Sequence, residues 1–228
     1  GQGLGHWSLL AAAAGLAALG LGVPKVLPPR ARALRNGLGP IIASRAVQTG
    51  VFYAGEAFLL LGLQNLRGLD TLQAGLALTI GSLGWSFGSW LQARIRLRRD
   101  RIITAGTCLV ALGMAGITVF LTWVGVPLWI GVAAWTLAGC GMGLTVSSTA
   151  VATMALSSPR EQGRNSGALL VAESIGSSVM TALTGACYAV LLAEGVPAFG
   201  WIFLMLLAAS VLAIATSLRI GPVHDVAG

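Results

Sequence analysis

Charged residues are scarce in this sequence. Only 9% of its 228 residues are Asp, Glu, Lys or Arg, whereas 56% are hydrophobic and the mean hydropathy is +0.84. Such a composition leaves too little polar surface to cover a water-soluble globule of this size. The chain is therefore predicted to be an integral membrane protein that is bound to a lipid bilayer.

Histidine and cysteine are also sparse. The two histidines, His6 and His224, lie near the chain ends, so the apolar segments contain no histidine that could relay a proton. Any proton chemistry must then use carboxylates. The three cysteines, Cys108, Cys140 and Cys187, lie inside apolar runs without a CxxC pair, which argues against a disulfide framework and a thiolate metal site. We expect no metal and no cofactor.

Three function classes lack their sequence features. The chain has no Gly-x-x-x-x-Gly-Lys-Ser/Thr loop, which a nucleotide-driven pump would need. An intramembrane enzyme would need a nucleophile with a base or a cluster of metal ligands, and two acids on separate apolar segments supply neither. The net charge of +7 could suggest a nucleic-acid partner, but the cations lie in short runs between apolar segments. We predict neither an enzyme nor a nucleic-acid-binding protein.

Seven apolar segments approach the roughly 20 residues that a helix needs to cross a bilayer. They cover residues 7–23, 41–66, 72–93, 102–124, 128–156, 166–193 and 199–218. Residues 1–23 are interpreted as a separate preceding helix, because the proline- and cation-rich segment 24–40 follows as a linker. The predicted fold is all-α, with a six-helix bundle over residues 41–220 and a tail over 221–228.

The cations indicate how these segments are oriented. Twelve of the fourteen Lys and Arg residues lie on alternate loops, whereas the opposite loops contain only Arg67. Lys and Arg are enriched in cytoplasmic loops, so the linker, the tail and the five-arginine segment 94–101 are predicted to be cytoplasmic. The apolar run before that segment contains Gly84 and Gly88, whose spacing predicts close contact with a neighbouring helix.

Three stretches of the chain carry a resemblance to a known family. The first is the glycine-rich helix end and basic loop that contain Gly84, Gly88, Arg94, Arg98 and Asp100, although Gln92-Ala93 stand where the family signature has an acidic residue. The second is Ser158-Pro159-Arg160-Glu161-Gln162-Gly163-Arg164, and the third is Gly55-Glu56-Ala57-Phe58 with its following turn. In these stretches the chain resembles the carboxyl-terminal half of a major facilitator superfamily transporter, and it is similar to bacterial drug:proton antiporters.

The resemblance implies a multi-pass protein of the cell membrane, such as the bacterial inner membrane. It implies half of a twelve-helix fold, with residues 1–23 as the last helix of an amino-terminal half that is otherwise missing from this chain. The implied function is secondary active transport, in particular proton-coupled efflux of small amphipathic compounds or drugs. Uptake of metabolites by a symporter of the same fold and a non-transporting membrane subunit are the alternatives.

Ionisable residues inside membrane spans are costly and indicate functional sites. Arg45, Gln48, Phe52 and Glu56 follow one another at helical spacing and share a face that is predicted to point inward. We expect Arg45 to pair with Glu173, which enters its own segment from the same side. Glu56 would then stay unpaired and become the leading candidate for proton coupling, with Glu173 second. A structural carboxylate is the alternative for each.

The fifth segment, 128–156, contains further candidates for cavity lining. They are Trp135, Thr145, Ser148 and Thr149. Hydroxyl groups can return their hydrogen bonds to the helix backbone, so close packing is the alternative for the last three. The other tryptophans of the spans, Trp85, Trp90, Trp123, Trp129 and Trp201, lie mostly near segment ends, which predicts an interfacial belt.

Overall fold

The structure, a computed structural model, describes residues 37–123 and 125–223. Six α-helices make up this part of the chain, and no strand occurs within it. They are α1 (Leu38–Asn65), α2 (Thr71–Arg94), α3 (Arg99–Thr122), α4 (Leu128–Ala155), α5 (Gln162–Ala193) and α6 (Ala198–Ser217). The predicted helix at 7–23 and most of the predicted linker lie outside the described residues.

The helices alternate in direction, so their ends form two layers. At one end the Gly37 amide donates to the Ile220 carbonyl (3.0 Å), and the Arg99 amide donates to the Val223 carbonyl (3.0 Å). At the other end the Arg67 guanidinium donates to the carbonyls of Phe120 and Trp123. The first layer, called the basic end below, contains the arginines of residues 94–101 together with Arg160, Arg164 and Arg219.

Five of these six helices are long and apolar enough to cross a membrane. The exception is α2, whose 24 residues span about 36 Å but include glycine, serine, threonine and glutamine. It begins with a capping box, in which Asp70 accepts from the Gln73 amide and the Gln73 side chain accepts from the Asp70 amide. The α2 helix thus has a defined start opposite the basic end and the length of a spanning helix.

Several helices begin earlier than the hydrophobic pattern predicts. The α1 helix starts at Leu38 rather than at residue 41, so residues 38–40 belong to the helix and not to the linker. Pro40 is tolerated there because amides in the first helical turn have no intrahelical acceptor. Likewise α3 begins at Arg99 and α5 at Gln162. The first turns of these helices are polar or contain proline, so a hydropathy pattern places the helix starts too late.

Packing centres on α1, α3 and α4. The α4 helix lies mainly against α2 and α3, α5 lies against α1, and α6 lies against α1 and α3. The largest fully buried side chains include Phe120, Phe203, Met114 and Met142, which belong to one continuous hydrophobic cluster. By contrast, the buried residues of α2 are five alanines and glycines, and most of α5 is accessible.

Glycines permit the close approach of α2 and α4, as their spacing predicts. A Cβ atom added to Gly84 would overlap the Thr136 carbonyl oxygen, and one added to Gly88 would overlap the Cys140 carbonyl oxygen. On the partner helix α4, a Cβ atom added to Gly143 would in turn overlap the Trp85 carbonyl oxygen of α2. The prediction that Gly84 and Gly88 face a neighbouring helix is confirmed.

One prediction about the tryptophans is wrong. Trp85 is half-buried inside the bundle and its ring lies 5.4 Å from the ring of Phe52. It occupies the middle of α2 and not an interfacial position, because α2 extends nine residues beyond it. Trp90, Trp123, Trp129 and Trp201 are at least half exposed, as residues of an interfacial belt would be.

Candidate functional site

Arg45 lies at the centre of a buried polar cluster, and its guanidinium is held by side chains and backbone of two neighbouring helices. The Nη2 atom donates to Oε2 of Glu173 on α5 (2.6 Å), and Nε donates to the same oxygen (3.1 Å). The Nη1 atom donates to the Val146 carbonyl (2.6 Å) and to the Thr149 hydroxyl (2.8 Å), both on α4. The Arg45 side chain is 6% exposed and that of Glu173 is 20% exposed. The predicted Arg45–Glu173 pair is confirmed. It ties α1 to α5, and the other two Arg45 bonds tie α1 to α4.

Only one oxygen of the Glu173 carboxylate takes part in this ion pair. Within the described residues, Oε1 has no hydrogen-bond donor. Glu173 is the more accessible partner of the two, since α5 buries few of its residues. The pair therefore has a buried cation and an acid that is partly accessible.

Gln48 extends the polar cluster by one helical turn toward the middle of α1. Its Oε1 atom accepts from the Thr107 hydroxyl of α3 (2.8 Å), while its Nε2 atom is buried without an acceptor among the described residues. Ser44 and Ser148 likewise have buried hydroxyl oxygens without a partner in this part of the chain. Buried polar atoms of this kind commonly bind water. Within the described residues the hydrogen-bonding capacity of this cluster is therefore only partly used.

The three predicted cavity-lining hydroxyls of α4 are fully buried and partly bonded to the backbone. Thr149 donates to the Thr145 carbonyl (2.8 Å) in addition to accepting from Arg45, and Thr145 approaches the Ile103 carbonyl (3.4 Å). Thr145, Ser148 and Thr149 are each 0% exposed. In this conformation they pack between helices, and their lining of a cavity stays a prediction.

An aromatic cluster follows on the same face of α1. The Phe52 ring is stacked on Trp135 of α4, with 4.5 Å between centroids and an interplanar angle of 14°. Trp85 and Tyr53 meet Phe52 edge to face at 5.4 and 6.1 Å. Phe52 and Trp135 are buried, whereas Tyr53 is 36% exposed. This cluster separates the polar cluster around Arg45 from the half of α1 that contains Glu56.

Glu56 differs from the other three residues of its predicted inward stripe. Arg45, Gln48 and Phe52 are at most 5% exposed, but Glu56 is half-buried and lies beside the exposed residues Tyr53 and Ala57. The side of α1 that carries Arg45, Gln48 and Phe52 is therefore buried up to Phe52 and partly exposed at Glu56. Beyond Phe52, α1 packs less completely against its neighbours. The described residues provide neither a hydrogen bond nor an ion pair to the Glu56 carboxylate.

The basic loop is held together by its single acid. Asp100 binds Arg98 through two contacts, Nε to Oδ1 (3.1 Å) and Nη2 to Oδ2 (2.9 Å). Oδ1 also accepts from the Val223 amide (3.1 Å), which fastens the segment after α6 to the start of α3. Arg94 instead lies over the Trp90 ring, 4.5 Å from its centroid. Gly84 and Gly88 anchor the preceding helix against α4, so these residues of the loop signature do not meet at one point.

Sequence reasoning missed Thr107 and Trp85 as neighbours of the site residues. Thr107 follows Gly106, where α3 closely approaches α4, and a hydroxyl beside such a glycine is the signal that could have indicated it. No group of three His, Cys, Asp or Glu side chains within residues 37–123 and 125–223 could hold a metal ion.

The chain matches the model of a known protein family. The model described as Major Facilitator Superfamily matches residues 6–181, more than half of the chain. The chain belongs to the major facilitator superfamily. A comparison with curated proteins found no relative that matches the sequence.

Membership of this superfamily, together with the apolar helices, establishes a multi-pass membrane protein of a secondary transporter family. Its members move small molecules across lipid bilayers and are not enzymes. The buried polar cluster and the aromatic cluster are therefore features of a transporter fold.

Proposed function

We propose that this protein takes part in proton-coupled efflux of small amphipathic compounds, with Glu56 as the carboxylate that binds and releases the proton. The observation that carries the proposal is the unpaired, half-buried carboxylate of Glu56, the nineteenth residue of the 28-residue helix α1. A carboxylate inside a membrane span is costly unless it is paired, hydrated or neutral. A side chain without a partner can change its protonation state without breaking an ion pair.

The Arg45–Glu173 pair supports this assignment. Four hydrogen bonds hold the Arg45 guanidinium, and Glu173 accepts two of them. Eleven residues separate Arg45 from Glu56, or about 16 Å along the helix axis. Arg45 is thus neither near enough nor free to neutralise Glu56. Protonation of Glu173 would weaken an interhelical contact, so a structural role is proposed for Glu173.

The surroundings of Glu56 favour an amphipathic substrate. One helical turn away, Phe52 packs with Trp85 and Trp135 in a largely buried aromatic cluster. Movement of the helices during transport would uncover these rings, which bind apolar groups and the faces of flat rings. The Glu56 carboxylate, when ionised, would attract a cationic or hydrogen-bond-donating group. In the proposed cycle a substrate leaves as a proton enters, while two helical bundles rock about the site. The second bundle would come from an amino-terminal half in the whole transporter.

The test is transport by the whole transporter in liposomes with an imposed pH gradient. Glu56→Gln mimics the protonated carboxylate, so it should abolish proton-driven transport while folded yield and substrate exchange without a gradient persist. Glu194→Gln, which changes an exposed acid in the turn after α5, is the matched control and should transport normally.

Other outcomes would redirect the proposal. Full pH-gradient-driven transport by Glu56→Gln, together with its loss in Glu173→Gln, would assign the coupling proton to Glu173. Full transport by both variants would place the coupling acid elsewhere in the whole transporter. Uptake rather than export would favour the metabolite symporter. The absence of substrate flux in the unmodified protein would favour a non-transporting subunit.

A further inference from the structure

A cavity of about 450 Å³ lies at the basic end, in the groove between α3 and the end of α6. On its α3 side, Arg101, Thr104, Ala105 and Cys108 follow the spacing of one helical face. Leu218 and Gly221 form the wall that follows α6. The cavity is open to the outside of the bundle, and its lining shares no residue with the polar cluster around Arg45.

The cavity combines a cationic mouth with an apolar track. Arg101 is exposed, and its side chain has no hydrogen bond or ion pair with the described residues. Arg98 also lines the mouth but already neutralises Asp100, the acid of this cavity, through two contacts. Arg101 is therefore the cation that remains available to an anion. Arg219, directly after Leu218 in the chain, is a further exposed cation of the basic end.

The apolar track continues from the cavity toward the middle of the bundle. Cys108 lies about 10 Å and Leu112 about 16 Å below Arg101 along α3. The Leu112 side chain is 59% exposed. On α6, Val211 and Leu212 are exposed to similar extents, 58% and 56%. Apolar surface of this kind in a membrane protein faces lipid chains. The mouth, in contrast, lies at the level of the lipid headgroups, where the spans end.

We propose that this groove binds an anionic phospholipid, with the headgroup phosphate on Arg101 and an acyl chain along Cys108 and Leu112. The Thr104 hydroxyl, which donates to the Asp100 carbonyl (3.0 Å), leaves oxygen lone pairs at the mouth for a headgroup hydroxyl such as that of phosphatidylglycerol. Basic pockets between transmembrane helices are a recognised binding mode for anionic headgroups. The proposal does not depend on the assignment of Glu56.

The experiment measures lipid binding to the purified whole protein in detergent. Phosphatidylglycerol is titrated while the thermal midpoint and the lipid-bound mass by native mass spectrometry are recorded, with phosphatidylcholine as the neutral comparison. Arg101→Gln should weaken phosphatidylglycerol binding about fivefold, which corresponds to the loss of one cation near an anionic surface. Arg101→Lys, which keeps the charge, should retain most of it.

Arg96→Gln is the matched control, because Arg96 is an exposed arginine of the same loop that does not line the cavity. It should bind phosphatidylglycerol as the unmodified protein does. Equal weakening of phosphatidylglycerol binding in Arg96→Gln and Arg101→Gln would mean that only the total charge matters, and the proposed site would be wrong. Unchanged binding in Arg101→Gln would also contradict the site. Inorganic phosphate should not raise the thermal midpoint. If it reproduces the Arg101-dependent stabilisation, the occupant is a free anion and the lipid assignment is wrong.

Discussion

The Arg45–Glu173 pair allows a quantitative prediction about the stability of the bundle. Glu173→Gln keeps the shape of the side chain and one acceptor oxygen but removes the negative charge. Two hydrogen bonds from Arg45 to Glu173 then change from charge-assisted bonds between ions to bonds with a neutral acceptor. The difference is about 1 kcal/mol for each bond. We therefore expect Glu173→Gln to lower the free energy of unfolding by about 2 kcal/mol.

A double-mutant cycle isolates this contribution. Arg45→Gln removes the cation, so the loss in Arg45→Gln/Glu173→Gln should be about 2 kcal/mol smaller than the sum of the two single losses. The unfolding free energy is measured in mixed micelles by titration with sodium dodecyl sulfate. The matched pair is Glu161–Arg164, an exposed i,i+3 contact (3.0 Å) at the start of α5.

An exposed helical pair contributes only about 0.3 to 0.5 kcal/mol. The Glu161–Arg164 cycle should therefore give a coupling energy of that size or less. The reasoning fails if the Arg45–Glu173 coupling is no larger than that of Glu161–Arg164. It also fails if Glu173→Gln raises the free energy of unfolding. That result would mean that the Arg45 cation is not destabilising when its carboxylate partner is removed.

Three further predictions concern packing, capping and orientation. Gly88→Leu should lower the free energy of unfolding by about 2 to 3 kcal/mol, because overpacking separates α2 from α4. Gly75→Leu on the same helix, where an added Cβ meets nothing within 4 Å, should lower it much less. Equal losses in the two variants would contradict the packing argument. Asp70→Ala removes the α2 cap and should cost about 1 kcal/mol, as measured by the thermal midpoint; an unchanged midpoint would mean that the cap is dispensable. In a cysteine-free background, Arg96→Cys should resist an impermeant thiol reagent on intact cells while Glu194→Cys reacts, and the reverse pattern would invert the predicted orientation.

Much of the helical framework follows from the sequence alone. Runs of about 20 apolar residues give the number and order of the helices over residues 37–223, because a backbone in lipid must satisfy its hydrogen bonds internally. The start of each helix is harder to predict, as Pro40 and Asp100 illustrate. Both lie in first turns, where polar residues and proline are tolerated and hydropathy is low.

The position of Arg45 along its span is enough to predict its partner. Arg45 and Glu173 enter their spans from the same end, and buried charges need opposite charges nearby. Depth and charge are both encoded locally, so the ion pair follows from the sequence. The contribution of Val146 and Thr149 does not, since it depends on how α4 crosses α1.

Tertiary structure decided which side of each helix is buried. A membrane helix that is apolar all round has little amphipathic signal to mark its inner face. Nothing local therefore distinguishes Trp85, which packs on Phe52, from Trp90, which is 50% exposed. The arrangement of neighbouring helices likewise decided that Glu56 is partly exposed and that Gln48 pairs with Thr107. The sequence determined which polar groups enter the membrane, and the packing of glycine-rich helix faces determined which of them meet.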